Sequence, residues 1–561
     1  MVRERLRRVP LLAAAAAAVC LGGPIVFGAA PDAPTASQSP ATPPHPPAGG
    51  PLSMFATSHE CQACHNGLTT PAGEDVSIGL AWRASMMANS SRDPYWQAGV
   101  RREVMDHPGS ARAIEDECAI CHMPMSRAVA HATGGHGAIF AHLPIGGSNA
   151  PLDRLAADGV SCTVCHQIGP DRLGTRESFT GGFVIAPPAR TGDRRIFGPF
   201  AIEDGQAGVM RSATGMTPAE AAHVRESELC ATCHTLYTQA LGPDGKVLGE
   251  LPEQVPYLEW RHSDFRRERS CQACHMPEVA QPTPIASVLG EPREGLSRHT
   301  FIGGNFFMLR MLNRYRHELG VEALPQELER AAEATLSFLG RETAALTLAS
   351  ARAEPGTVAF DVAVENLTGH KLPTAYPSRR VWLHVTVTDA AGVVVFESGA
   401  VDPSGRIRGN DNDDDASKFE PHYTEIRSPD QVQIYESVMH DADGVVTTGL
   451  LRATGYLKDN RLLPRGFDKA TAPDDVAVIG GARDDPDFTA PGDRVRYVVS
   501  TAGRSGPFRV AVELRYQPIA FRWARNLRAY DAMEPQRFVR WYDEMSSGSS
   551  AVLARASLQV P

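Results

Sequence analysis

The chain has 561 residues, of which 42% are hydrophobic and 21% charged, with a formal net charge of −10. That length admits several domains, and the composition excludes a wholly disordered chain, a collagen-like fibre and a multi-span membrane protein. The acidic balance excludes the basic footprint of a nucleic-acid binder, so no nucleic acid is expected among the partners.

Residues 1–30 open with Arg3, Arg5, Arg7 and Arg8, continue as an apolar run from Leu11 to Phe27, and end in Gly28-Ala29-Ala30. A positive start, an apolar middle and small residues at the end make a secretory signal peptide. The alternative is an uncleaved N-terminal anchor, which Gly22, Gly23 and Pro24 weaken. Either reading exports the chain to the periplasm or the outer cell surface and confines membrane contact to the N-terminus. Residues 31–51, rich in Pro, Ala, Ser and Thr, read as an extended linker with nothing to bury. Folded structure is expected from about Leu52 onward.

Eleven cysteines are present. Cys20 lies in the leader, and the other ten form five copies of C-x-x-C-H. The first copy is Cys61, Cys64 and His65, and the second is Cys118, Cys121 and His122. The third is Cys162, Cys165 and His166, the fourth Cys230, Cys233 and His234, and the fifth Cys271, Cys274 and His275. Each reads as a c-type haem attachment site, where two thiols add to the porphyrin vinyl groups and the next residue sets an imidazole under the iron. Zinc ribbons do not require a histidine after every cysteine pair, and structural disulfides avoid loops this short. Residues 52–303 are therefore predicted to be a mainly helical and loop-rich pentahaem cytochrome domain, with five covalently bound haems filling the place of a hydrophobic core. The motifs are irregularly spaced, so no solenoid repeat is expected.

Nineteen histidines leave fourteen for the other face of the five irons. Context selects His107 and His262, each just before a motif, and His299, in a Gly-containing stretch. It also selects His370, in Asn-Leu-Thr-Gly-His-Lys-Leu-Pro-Thr. His131, His136 and His142 cluster ahead of the third motif, with His136 or His142 favoured as a ligand. Met87 is a thioether candidate, a ligand type that raises the haem potential. The alternative for Met86 and Met87 is packing. His384 alternates on a strand face and reads as structural.

Residues 304–343 read as a helical connector, with helices over 306–319 and 326–339 and Pro325 at the first turn of the second. From 344 to 520 the period becomes two. Val358, Phe360, Val362 and Val364 alternate with smaller or polar residues, as do Val381, Leu383, Val385 and Val387, and Phe508, Val510, Val512 and Leu514. With Asp389–Gly392 as a turn, this predicts an antiparallel β-sandwich-like domain. Residues 521–561 are expected to form a helical C-terminal tail packed through Phe521, Trp523, Phe538 and Trp541. The fold class is thus α+β and multidomain. The acidic run Asn410–Asp415 offers Asp411, Asp413 and Asp415 as Ca²⁺ ligands; a solvated acidic loop is the alternative.

These motifs and their flanks resemble the multihaem c-type cytochromes of the cytochrome c-554 and hydroxylamine oxidoreductase type, over roughly residues 52–310. The carrying residues are Asp158-Gly-Val-Ser-Cys162-Thr-Val-Cys165-His166-Gln-Ile, Tyr257-Leu-Glu-Trp-Arg-His262, Cys271-Gln-Ala-Cys274-His275-Met-Pro and Gly369-His370-Lys-Leu-Pro-Thr. The family's Trp-x-x-Ser-x-His-Ala distal motif is matched by Trp82, Ser85, Met87 and Ala88, with methionine in the histidine slot. In a second copy at Trp260, Phe265 stands there. The resemblance also implies that the Gly369-His370 loop supplies a distal ligand.

The expected function is electron transfer between redox partners through closely spaced, mostly six-coordinate haems. Those partners would be redox proteins, a membrane electron-transfer complex or a quinol oxidase or reductase. A second reading is a multihaem redox enzyme acting on a small nitrogen or sulfur compound at one open iron. The resemblance implies a C-x-x-C-K motif in nitrite-reducing relatives, and none exists here. It implies a tyrosine cross-link in hydroxylamine-oxidising ones, for which no residue is identified beyond Tyr237, three residues after the fourth motif, as the single candidate. A third is a subunit of a haem filament or of a membrane electron-transfer complex, a reading compatible with an oligomer.

Overall fold

The computed structural model describes residues 51–185 and 194–561. The proposed leader and nearly all of the linker lie outside the described residues. The described residues cluster as one compact unit, and they are mixed α+β, with a helical N-terminal region and a β-rich C-terminal one.

The N-terminal region is built from short helices stopped by their own sequence. Pro94–Asp106 begins with proline at its first turn, and the Asp93 carboxylate accepts from Tyr95 N at 2.8 Å and Trp96 N at 3.3 Å. It ends at His107, because Pro108 cannot continue it. Ala111–His122 follows and carries the second motif in its last turns. Cys162–Cys165 and Cys271–His275 are single turns that consist of little beyond the motif itself. Apolar packing here is broken into small groups. Val100, Ile114, Ala119, Met123 and Ile139 form one, Phe55, Met125, Val129, Leu155 and Val164 a second, and Leu68, Val76, Val279 and Leu296 a third. A hairpin of Leu236–Leu241 and Val247–Gln254 leaves the fourth motif.

The connector helices are shifted from the expected bounds. The first spans Phe306–Arg314, capped by Asn305 onto Met308 N. It stops before Leu319, which is nevertheless buried. The second spans Pro325–Glu342, and Glu327 reaches back to Leu324 N at 2.9 Å.

Two sheets follow. In one, Thr357–Asn366 lies between Ala344–Glu354 and Gly492–Ser500, pairing Val362 with both Leu348 and Val495. In the other, Phe508–Gln517 lies between Arg380–Thr388 and Ala551–Val560, pairing Val512 with Val385 and with Ala556. The predicted alternating residues face inward: Phe360, Val362, Val385, Val387 and Val510 are fully buried. Phe396 of one sheet meets Tyr497 of the other edge-on at 6.3 Å. The Asp389–Gly392 turn is present, with Asp389 Oδ1 accepting from Ala391 N and Val393 N.

The tail departs from expectation. Phe521–Asn526 and Met533–Met545 are helices, but Ala551–Val560 is a strand that completes the second sheet. Its apolar residues alternate with Arg555, Ser557 and Gln559, a period of two that helical packing anchors upstream had masked.

Candidate functional site

The ten motif cysteines are half-buried free thiols, none of them paired in a disulfide. Five motifs scattered in sequence meet in space. The Cys162 thiol hydrogen-bonds Cys61, joining the third motif to the first. Cys121 hydrogen-bonds Cys233, joining the second to the fourth. Cys230 hydrogen-bonds Cys271, joining the fourth to the fifth. Cys165 of the third motif lies within electrostatic reach of Cys233. The motifs thus form a branched, continuous array with the fourth at its centre and the first at one end. This order differs from the order in sequence.

Three motif cysteines, Cys64, Cys118 and Cys274, take no part in these thiol contacts between motifs. Cys64 is instead held through its backbone: its carbonyl accepts from Ser287 N at 2.7 Å and from Ser287 Oγ at 3.1 Å. That fixes the first motif to the segment that follows the fifth. Burial pushes the Cys118 and Cys274 thiols up, so both stay protonated near pH 7.

The imidazoles after the cysteines are oriented by backbone carbonyls. His65 Nδ1 bonds Ile285 O at 2.6 Å, His122 Nδ1 bonds Ser90 O at 3.0 Å, His166 Nδ1 bonds Phe197 O at 2.6 Å and His275 Nδ1 bonds Ile302 O at 2.5 Å. A carbonyl only accepts, so each Nδ1 carries the hydrogen and each neutral ring keeps its lone pair at Nε2. This is the usual arrangement behind a metal-ligating histidine. Desolvation pushes His122 and His234 down to about 4 and lowers His166 and His275 as well, which holds these rings neutral.

Two second imidazoles are brought opposite. The His166 and His299 rings lie 6.3 Å apart between centroids, 19° from parallel. The His275 and His370 rings lie 6.3 Å apart, 12° from parallel. Two imidazole nitrogens each about 2 Å from one metal ion, with ring centres about 1 Å behind them, give a separation of about 6 Å. The residues present therefore fit an iron held between each pair. Burial pushes both His299 and His370 down to about 4, so both are neutral near pH 7.

The remaining candidates fall unevenly. His107 is 8% exposed, and its Nε2 is buried with no hydrogen-bond partner. A buried polar nitrogen without a partner is costly, and a metal would satisfy it. His142 Nδ1 bonds Asp153 at 2.6 Å, which leaves Nε2 as the nitrogen available to a ligand. His131 instead forms an exposed pair with Asp116, and His136 is half-buried. The structure sets His262 edge-on to Phe467 at 5.4 Å. Met87 is fixed through its carbonyl, which accepts from Val160 N at 3.0 Å.

The two Trp-x-x-Ser segments do equivalent jobs. Trp82 donates its indole N–H to Val160 O at 3.0 Å, and Trp260 donates to Arg269 O at 2.9 Å. Each acceptor lies two residues before the first cysteine of a motif, the third and the fifth. These are the two motifs whose opposing imidazole comes from elsewhere in the chain. Phe265, in the slot of the family's histidine, packs near Gly369, where a Cβ would come within 3.2 Å of it. That close approach lets the His370 loop sit directly over Trp260 and Phe265.

The His370 loop is clamped by buried charges that sequence reading missed. The Glu259 carboxylate accepts from Lys371 N at 3.0 Å, from Thr374 Oγ1 at 2.5 Å and from Arg461 at 2.8 Å. Lys371 Nζ and Arg461 both pair with Asp459, each at 2.7 Å. All four are buried, with two charges of each sign. Trp96 was also missed; it stacks face to face on His122 at 4.3 Å. Only the composition of the Gly-His-Lys loop hinted at the first, and nothing local hinted at the second.

The acidic loop is not assembled as a calcium site. Both oxygens of Asp413 receive the Arg380 guanidinium at 2.9 Å, and one also accepts from Ile407 N. Asp415 caps Ser417 at the surface, and Asp411 starts a short helical turn. An arginine from a distant strand takes the charge a cation would have taken. His422, Asp485 and Asp493 do converge, the two carboxylates buried and the histidine half-buried. However, His422 Nδ1 accepts from Gln433 Nε2 at 3.0 Å and Asn460 Nδ2 at 3.1 Å. Those amides are fixed in turn by Tyr423 N and Glu436 N. His422 Nε2 therefore keeps its hydrogen for Asp485, and a neutral ring has no lone pair left for a metal. His384 pairs with Glu397, a structural role as read.

No protein-family model and no curated protein matches the chain. A solved structure of a penta-haem cytochrome c552 from Thermochromatium tepidum is similar, with a TM-score of 0.51 and 17% identity, covering 90% of this chain and 99% of that one. At this identity the likeness shows a multihaem cytochrome c-like fold.

Proposed function

We propose that this chain is an exported c-type cytochrome with five covalent haems, which transfers electrons between redox partners. The observation that carries the proposal is the continuous array of five motifs, each with two thiols and an adjacent histidine. The paired rings of His166 with His299 and His275 with His370 support it. Bound haem supplies a one-electron couple at each motif.

The chain's own residues do the rest. Five cysteine pairs, from Cys61 and Cys64 to Cys271 and Cys274, fix the cofactors by covalent bonds. The carbonyls of Ile285, Ser90, Phe197 and Ile302 orient the proximal rings of His65, His122, His166 and His275. His299 and His370 close the third and fifth sites, and His107, with its unpartnered Nε2, together with His142, supplies the next candidates. At the third and fifth motifs an iron held between the two imidazoles would have no position left for substrate, which favours a carrier over an enzyme.

The β-rich region, a sandwich-like pair of sheets in this reading, delivers His370 and so belongs to the redox unit. The acidic surface favours basic redox proteins or a membrane electron-transfer complex such as a quinol oxidase or reductase. Among the described residues no helix is long and apolar enough to cross a membrane, so anchorage falls to the N-terminal leader.

Native mass spectrometry of the exported chain should show a gain of about 3 kDa from five haems. Low-temperature EPR of the oxidised protein should show low-spin signals unmoved by nitrite or hydroxylamine, and His299→Ala should convert one to high spin. No mass gain would overturn the cofactor assignment. A wild-type haem that is high-spin and binds the added molecule would replace the carrier with an enzyme.

A further inference from the structure

A cavity of about 400 Å³ lies between the end of Pro94–Asp106, the segment Val446–Arg452 and the C-terminal helices. Its size is that of a small-molecule site. No motif cysteine or histidine lines it. Its charged lining is Arg102, Asp106, Arg452, Arg522 and Arg525.

The charges do not cancel locally. Arg102 is neutralised by Glu103, outside the cavity wall. Asp106 accepts from Tyr530 at 2.9 Å and faces Arg452 at 3.7 Å. Arg522 spends two N–H groups on the carbonyl oxygens of Asn412 at 2.7 Å and Asp413 at 2.6 Å, which carry only partial charge. The Asp413 carboxylate behind it is bound to Arg380, and Asp415 is exposed and capping Ser417. Arg525 has no carboxylate partner among the described residues and lies close enough to Arg522 to repel it. Burial lowers the pKa of Arg522; the nearby Asp413 carboxylate opposes this, Arg525 reinforces it, and Asp415 offsets part of the remainder. Asn526 Nδ2, bonded to Thr448 Oγ1 at 3.0 Å, adds a neutral polar wall.

We propose that this cavity binds a small multivalent oxoanion, of phosphate type or a tricarboxylate of similar charge, through Arg522 and Arg525 with Arg452 at the rim. Guanidinium groups match such oxygens in a planar fork, and an anion relieves the repulsion between neighbouring arginines. The inference is independent of electron transfer. It does bear on it, because Asp106 adjoins His107.

The same chemistry could be met by carboxylates of the chain's own cofactors, and the experiment separates the two sources. Isothermal titration of the haem-loaded full chain at low salt with inorganic phosphate, and separately with citrate, should give one saturable site. Arg525→Gln and Arg522→Gln should each weaken it about tenfold or more. Arg528→Gln should leave it unchanged, because Arg528 pairs with Asp543 outside the cavity. Should either cavity variant lose haem, Ala529→Glu decides instead: it places a carboxylate at an exposed lining position and should abolish binding. No saturable heat with either probe, or equal weakening by Arg528→Gln, would overturn the proposal. So would a shift in one haem potential on Arg522→Gln or Arg525→Gln without any phosphate uptake by the wild-type chain; that result assigns the arginines to haem carboxylates.

Discussion

The two halves of this chain fill their interiors by different means. From residue 344 onward, alternating Val, Phe and Leu side chains from two sheets merge into one large apolar cluster. Before residue 304, apolar side chains gather in three groups of a few, while others such as Phe179, Tyr237 and Tyr257 join the large cluster, and the motif thiols are half-buried among them. A sheet that buries its own residues needs nothing else to fold. A region whose inward groups are Cys and His needs a cofactor to complete its core, just as structural metals supply folding free energy outright. The proposed haems would thus be both function and core.

The largest effect expected from this difference is on folding without cofactor. A chain produced without haem attachment should be cut by protease throughout residues 52–303 while fragments covering 344–560 survive. Equal protection of both halves would break the comparison, because the first half would then hold itself together.

The seam offers a sharper break. Glu259 belongs to the first half, and Lys371, Asp459 and Arg461 belong to the second. Arg461→Met would leave two buried carboxylates to one lysine, at a cost of about 3–5 kcal/mol. Because Glu259 holds Lys371 N and Thr374, the same change should disturb His370 and alter one haem spectrum. Arg461→Lys should restore part of the stability and most of the spectrum. A loss of stability with all haem spectra unchanged would separate the seam from the redox site.

What could be read beforehand follows the same division. The C-x-x-C-H motifs were legible because their residues are adjacent in sequence, and the strands were legible because burial on one face imposes a period of two. His299 and His370 stood out through their glycine-flanked loops. His136 and His142 could not be told apart, since the Asp153 partner of His142 Nδ1 is set by the fold. The helical reading of 551–561 failed because the packing anchors upstream, Phe538 and Trp541, carried it past Ala551, where a period of two begins and the chain pairs with Phe508–Gln517. The calcium reading gains no support for a related reason. Asp413 is 33 positions from Arg380, and local carboxylate spacing says nothing about an arginine arriving from another strand.

The smallest expected effect tests whether the β-rich half stands on its own chemistry. Burial pushes the Asp493 carboxyl up to about 7; hydrogen bonds from Tyr435 and Gln433 oppose this, and Asp485 nearby reinforces it. His422, between the two carboxylates, donates to Asp485 and takes no part in that titration. The folded state therefore favours protonated Asp493, and its contribution to stability is full below about pH 4 and fades as pH rises toward about 7. Between about pH 5 and 7 the loss should reach about 2–3 kcal/mol. Asp493→Asn stays neutral at every pH, so its thermal midpoint should vary less over that range and exceed the wild-type value above about pH 7. Haem spectra should be the same in both proteins throughout. If the variant's midpoint tracks the wild type across the range, Asp493 is already ionised in the fold. If haem spectra move with it, the β-rich half is coupled to the haem sites well beyond the His370 loop, and the two halves do not stand apart as their interiors suggest.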